Sequence, residues 1–100
     1  MTVIWSPLAV ARVAEAADYI ARDKAVAAAR WAQGVFDTVG RLAEFPRSGT
    51  VVPELGRQDV RELFHGEYRI IYRVETERVL ILTVRHGRRV LDPAELDEVE

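Results

Sequence analysis

Apolar positions recur every three to four residues up to about Ala43 and in strand-like runs after Val60, so the chain divides into a helical half and an extended half. Val3, Ile4 and Trp5 favour the pleated state, which makes Thr2–Trp5 a short opening strand. Ser6-Pro7 then starts a helix. Ser6 serves as the N-cap, and Pro7 takes the first helical position, where a missing N–H costs nothing. This helix runs to about Arg22 with the buried stripe Ala9, Val13, Ala16, Ala17 and Ile20. The polar break Asp23-Lys24 predicts an antiparallel helical hairpin. The second helix spans about Val26 to Ala43 and buries Ala28, Trp31, Ala32, Val35, Val39 and Leu42. Gly34 and Gly40 weaken it, so its end should fray early.

Phe45-Pro46-Arg47-Ser48-Gly49 stops that helix, and residues 50–58 read as a loop. Three strands follow at Val60–His65, Tyr68–Val74 and Val79–His86. They are joined by the tight turn Gly66-Glu67 and by the four-residue connection Glu75 to Arg78. Pairing Val74 with Val79 places Tyr72 opposite Ile81, Ile70 opposite Thr83 and Tyr68 opposite Arg85 on one face. The other face then pairs Arg73 with Leu80, Ile71 with Leu82, Arg69 with Val84 and Glu67 with His86. In that register neither face is cleanly apolar. The hairpin covers one face, and arginines remain among aliphatics on the other. Asp92-Pro93-Ala94-Glu95 resembles a capped helix start, with Asp92 as N-cap and Glu95 at the third position.

One hundred residues suit a single domain, 1–100, ending in an acidic tail at 92–100. The absence of cysteine excludes disulfides and thiolate metal sites, and with two histidines there is no metal-ligand spacing, so no cofactor is expected. No leader-like or membrane-length apolar run is present, which points to a cytoplasmic protein without a membrane partner. The net charge of −2 conceals an asymmetry: residues 1–56 are balanced, residues 57–91 carry eight arginines against five acids, and residues 92–100 carry five acids and no base. Such a basic segment implies an anionic partner or screening by the tail, although solvated faces alone can give the same pattern.

The order of elements, with L-A-E-F-P-R-S-G, Y-R-I-I-Y-R-V and V-R-H-G-R-R, resembles the RelE/ParE superfamily of type II toxin–antitoxin toxins, including the plasmid-stabilisation proteins, from about Val3 to Leu91. The resemblance implies an α+β fold in which an N-terminal strand and an antiparallel helical hairpin pack on a three- to four-stranded antiparallel sheet. It also implies a cognate antitoxin that wraps the toxin, and growth arrest when the toxin is unopposed. RelE-like members cut messenger RNA in the ribosomal A site, whereas ParE-like members inhibit DNA gyrase without an established catalytic site. A non-toxic interaction module is a further alternative.

Ribonucleolytic cleavage needs a base for the 2′-OH and cations for the phosphate. Arg69 and Arg89 match arginines of the RelE pattern. Glu62 stands where that pattern has a lysine, and the terminal tyrosine falls near Glu95. His86 is the strongest lone base candidate, with a pairing role opposite Glu67 as the plainer reading. An RNase site would therefore comprise Arg69, His86 and Arg89. The two mismatches, together with net acidity that disfavours a polyanion, turn the expectation towards a gyrase-directed, ParE-like toxin. Three local acids, Glu62, Glu67 and Glu75, cannot pair one-to-one with six arginines, which nominates Arg85, Arg88 and Arg89, with His86, as target-contacting residues. Trp5, Trp31, Arg61 and Arg73 are the candidate antitoxin contacts. Tyr68 and Tyr72 read as core, and Glu15 and Asp18 as solvated face.

Overall fold

The computed structural model describes residues 1–87 and 91–96. Strand β1 (Thr2–Trp5) leads into helices α1 (Pro7–Ala21) and α2 (Ala25–Gly40), and a 3-10 turn (Arg41–Ala43) closes the hairpin. Strands β2 (Thr50–Val51), β3 (Val60–His65), β4 (Tyr68–Val74) and β5 (Arg78–His86) follow, with a second 3-10 turn at Pro93–Leu96. The strands form one sheet in the order β1-β5-β4-β3-β2. The α+β reading therefore holds, but the sheet has five strands rather than three or four. Strand β1 joins it parallel to β5, and β2 lies within the segment expected to be loop. Thr50 and Val51 are β-branched, and Val52 continues their course by donating to the Val60 carbonyl at 3.2 Å.

Ser6 begins α1 as its sequence suggests and has a second role. Its Oγ accepts from the Ala9 N–H at 3.0 Å and donates to the Leu82 carbonyl at 2.9 Å. One buried hydroxyl thus caps the helix and satisfies the β5 edge just beyond the end of β1. Helix α2 ends at Gly40 and tightens into the 3-10 turn, as its glycines predict. Gly34 has a packing reason as well. A Cβ there would lie 2.3 Å from His65 Cε1, so its bare backbone lets β3 come against α2. Gly49 is buried and meets backbone as well as a side chain. A Cβ would meet the Glu62 carbonyl and the Tyr72 hydroxyl, both at 2.5 Å, while the Gly49 N–H donates to Tyr72 Oη at 2.9 Å.

The expected register between β4 and β5 holds from Val74↔Val79 to Tyr72↔Ile81 and then slips by one. The pairs become Ile71↔Thr83, Ile70↔Val84, Arg69↔Arg85 and Tyr68↔His86. A bulge at Leu82 inserts the extra residue. It moves Thr83 and Arg85 off the helix-covered face and brings Val84 and His86 onto it. That face is in consequence apolar at its centre, contrary to the bulge-free register. Ile70, Tyr72, Val74, Val79, Ile81 and Val84 pack against Ala9 and Val13 of α1, Val35 and Val39 of α2, and Leu42.

The second face is covered without a long helix. Val60, Ile71, Leu80 and Leu82 pack under Val52, Leu55, Leu91 and Leu96, which come from the 52–55 turn and the C-terminal segment. Charged side chains border this smaller core, among them Glu62 at 4% exposure and Arg69 at 7%.

Candidate partner-binding site

Past the last residue of β1 the sheet edge is shared by α1, the ends of β4 and β5, and the start of α2. These elements enclose a groove of about 730 Å³. Its apolar wall includes Ala16, Ile20, Trp31, Tyr68 and Val84, and its charged rim includes Arg12, Glu15, Arg22, Glu67, Arg85 and His86. Trp31 packs on Tyr68 with ring centroids 4.8 Å apart, and Tyr68 meets His86 edge-on at 5.3 Å. The Trp31 indole N–H is buried with no hydrogen-bond acceptor among the described residues. A groove with aromatic walls and a charged rim suits a peptide segment that carries apolar anchors.

On the helix α1 side of this groove, Ala16 and Ile20 belong to the stripe read from the sequence, but Arg12, Tyr19 and Arg22 went unnoticed. Arg12, Glu15, Tyr19, Ile20 and Arg22 line it, and Glu15, read as solvated, accepts from Arg12 Nη1 at 2.8 Å. The Arg12–Glu15 spacing of three on a helix was the one available signal.

Arg69 lies on the opposite face of the sheet from His86. It is held by two carboxylates: Nε reaches Glu62 Oε1 at 2.7 Å, and the Nη atoms reach Glu54 Oε2 at 2.8 Å and Oε1 at 3.0 Å. These hydrogen bonds outweigh desolvation and hold the Arg69 guanidinium firmly charged, while Arg69 holds the Glu54 carboxyl below its ordinary range. Arg69 and His86 are therefore not brought together into one site. Arg89 and Arg88, the other residues nominated from that segment, lie outside the described residues.

Arg85 is not surplus charge. It donates to Glu95, which also accepts from Arg12 Nε at 2.9 Å and Nη2 at 2.6 Å. The proposed helix-capping role of Glu95 is thereby corrected: its side chain turns into the sheet, 6% exposed, while Asp92 Oδ1 accepts from the Ala94 N–H at 3.0 Å. The acid count omitted Glu54 and Glu95, which come from a loop and the tail and reach the sheet only through the tertiary fold. Arg73 pairs with Glu75 at 2.6 Å. Arg61 spends its donors on the Gly49 and Gln58 carbonyls at 2.9 and 3.0 Å, clamping the loop before β3. Trp5 packs on the half-exposed Phe36 at 5.2 Å and does not line the groove. His86 keeps its polar partner, with Nε2 3.3 Å from Glu67 Oε2, although its strand neighbour is Tyr68. Tyr72 is core, as expected, and burial pushes its hydroxyl pKa up. Tyr68 is half-buried in the groove wall.

The family model for the ParE toxin of the type II toxin–antitoxin system parDE matches residues 3–91. The chain belongs to the ParE toxin family. Among solved structures, one described as the chromosomal ParDE TA system from P. aeruginosa superposes with a TM-score of 0.72 at 21% identity, over 86% of this chain and 95% of that one. Comparison with curated proteins gives no match. Among the described residues, no helix is long and apolar enough to cross a membrane, and no group of three or more His, Asp or Glu side chains could hold a metal ion. Within this ParE-type fold, the groove and the arginines beside it are features that could recognise a partner.

Proposed function

We propose that this ParE-family chain arrests growth in the cytoplasm by inhibiting DNA gyrase through a protein–protein contact, and that a cognate antitoxin neutralises it by direct binding. Membership of the ParE family over residues 3–91 carries this reading. The similar fold in the P. aeruginosa ParDE system supports a toxin–antitoxin pairing. The placement of the ribonuclease candidates favours gyrase over messenger cleavage. Arg69 is neutralised by Glu62 and Glu54 on one face, and His86 sits on the other, so the cation and the base do not converge on one phosphate. Arg85 and His86, with Arg88 and Arg89 following in sequence, form the proposed target-contacting set. Trp31 in the groove is the leading antitoxin contact, with Trp5, Arg61 and Arg73 as outer candidates.

The test pairs growth with two biochemical assays. Expression of the chain should arrest growth, co-expression of the antitoxin should relieve the arrest, and the purified chain should block supercoiling by gyrase. Ribosome-dependent messenger cleavage that disappears in Arg89→Ala, with supercoiling untouched, would replace this reading by the RelE-like one.

A further inference from the structure

Two guanidiniums from distant parts of the chain converge on a single carboxylate. Arg12, on α1, gives Glu95 Oε1 two hydrogen bonds, and Arg85, on β5, gives Oε2 one, with Thr83 Oγ1 at 3.5 Å from the same oxygen. Arg12 thus takes one carboxylate oxygen and Arg85 the other, so both oxygens receive charge-assisted hydrogen bonds. The receiving residues Arg12, Thr83 and Arg85 all fall within the stretch that matches the ParE family, 3–91. The occupant falls beyond it. Glu95 hangs on a four-residue 3-10 turn whose apolar anchors are Leu91 and Leu96. Arg12 and Arg85 also line the groove beside Trp31 and Tyr68, so this carboxylate sits at the groove's edge.

We propose that Arg12 and Arg85 form a carboxylate receptor, filled in the free chain by its own Glu95, and that an acidic side chain of the antitoxin takes Glu95's place when its segment enters the groove. The inference rests on the toxin–antitoxin reading for the identity of the partner but not for the existence of the receptor. An acidic peptide fits better than a nucleic acid for two reasons. Glu15 and Glu67 on the rim repel a continuous line of phosphates, and the aromatic wall next to the arginines suits an apolar residue following a carboxylate. Glu95 competes as a tethered ligand at an effective concentration that short linkers bring to the order of millimolar. An incoming peptide must overcome that local competitor, so removing the Glu95 charge should strengthen peptide binding.

The experiment uses the full chain and two probes, a blocked peptide of alternating Glu and Leu and a decamer of thymidylate, with binding followed by calorimetry and by the amide NMR signals of Thr83, Arg85 and Leu96. Glu95→Gln should bind the peptide on the order of tenfold more tightly than the parent. Arg12→Ala/Glu95→Gln and Arg85→Ala/Glu95→Gln, which leave no buried carboxylate without a partner (Glu15, which also pairs with Arg12, is exposed), should lose that gain while keeping the parent's circular dichroism. Equal peptide affinity for the parent and Glu95→Gln, or undiminished binding in the double variants, would overturn the receptor. Preferential binding of the thymidylate would overturn the peptide assignment. None of these measurements depends on gyrase or growth arrest, so failure of the toxin reading would show only in those separate assays.

Discussion

The two faces of the sheet are closed by different chemistry. The helix-covered face is closed by aliphatics and Tyr72, whose one polar group is met by the Gly49 N–H. The other face combines a smaller aliphatic core with three charged clusters: Glu62–Arg69–Glu54, Arg73–Glu75–Arg78 and Arg12–Glu95–Arg85. Apolar packing is non-directional, so the first face tolerates changes that keep volume. Buried ion pairs must be matched group for group, so the second face should fail sharply when one member is lost and recover when both are removed. The charged face therefore contributes specificity of arrangement more than net stability, and its ion pairs hold the short covering segments alongside their apolar packing.

The largest effect expected from this contrast is Arg69→Ala, which strands Glu62 at 4% exposure. A loss of about 3–5 kcal/mol should appear in urea unfolding. Arg69→Met/Glu62→Leu should recover most of it, and a double variant as unstable as the single one would show that the faces do not differ in kind. On the helix-covered face, Leu42→Ala removes a fully buried side chain and should cost about 2–5 kcal/mol. Only a substitution that refills the lost volume should restore part of that loss. A cost below about 1 kcal/mol would mean that the hairpin is not held by packing.

Ser6→Ala comes next. It removes the cap of α1 and the donor to Leu82 together, at a cost of about 1–2 kcal/mol. Ser6→Asp would restore a cap but not the donor, so it should recover only part of the stability. Full recovery of the melting temperature would assign the whole effect to the helix and none to the sheet edge.

The smallest effect is acid lability of the charged clusters. Hydrogen bonds from Arg78 and Arg73 hold the Glu75 carboxyl below its ordinary value, as Arg69 does for Glu54 and Arg57 for Asp59. A carboxylate whose folded pKa is depressed stabilises the fold above its unfolded value, about 4.5 for these glutamates, and that contribution is lost as pH falls through the lower folded value. The melting temperature should therefore hold between about pH 7 and 5 and decline below about 4.5. Glu75→Gln should remove about 0.3–1 kcal/mol of that dependence, since these pairs are partly solvated. A melting temperature unchanged from about pH 5 to pH 3 would leave the pairings of Glu54, Asp59 and Glu75 without a stabilising role.

Most of the elements were legible because their signals are local. Ser6-Pro7, the stripe through Val13, the break at Asp23-Lys24 and the turn Gly66-Glu67 each act within a few residues. The starts and ends of β1, β3 and β4 fall where the side chains predict them, and β5 begins one residue early. The pattern of Y-R-I-I-Y-R-V and V-R-H-G-R-R likewise identified the superfamily. The site was legible in residue type and only partly in arrangement: Trp31, Arg85 and His86 do border the groove, Glu62 is among the acids expected to pair with the strand arginines and the tail does screen Arg85, but Glu54 on Arg69 and the link from Glu95 to Arg12 were not foreseen. What the sequence by itself determined is the order of helices and strands and the family they belong to, because propensity, capping and periodicity are properties of neighbouring residues. Only the tertiary structure decided which face each arginine occupies and which acid it meets. A single bulge at Leu82 exchanges the faces of every residue beyond it, and Glu95 reaches Arg12 across 83 positions of chain, a contact that no local pattern encodes.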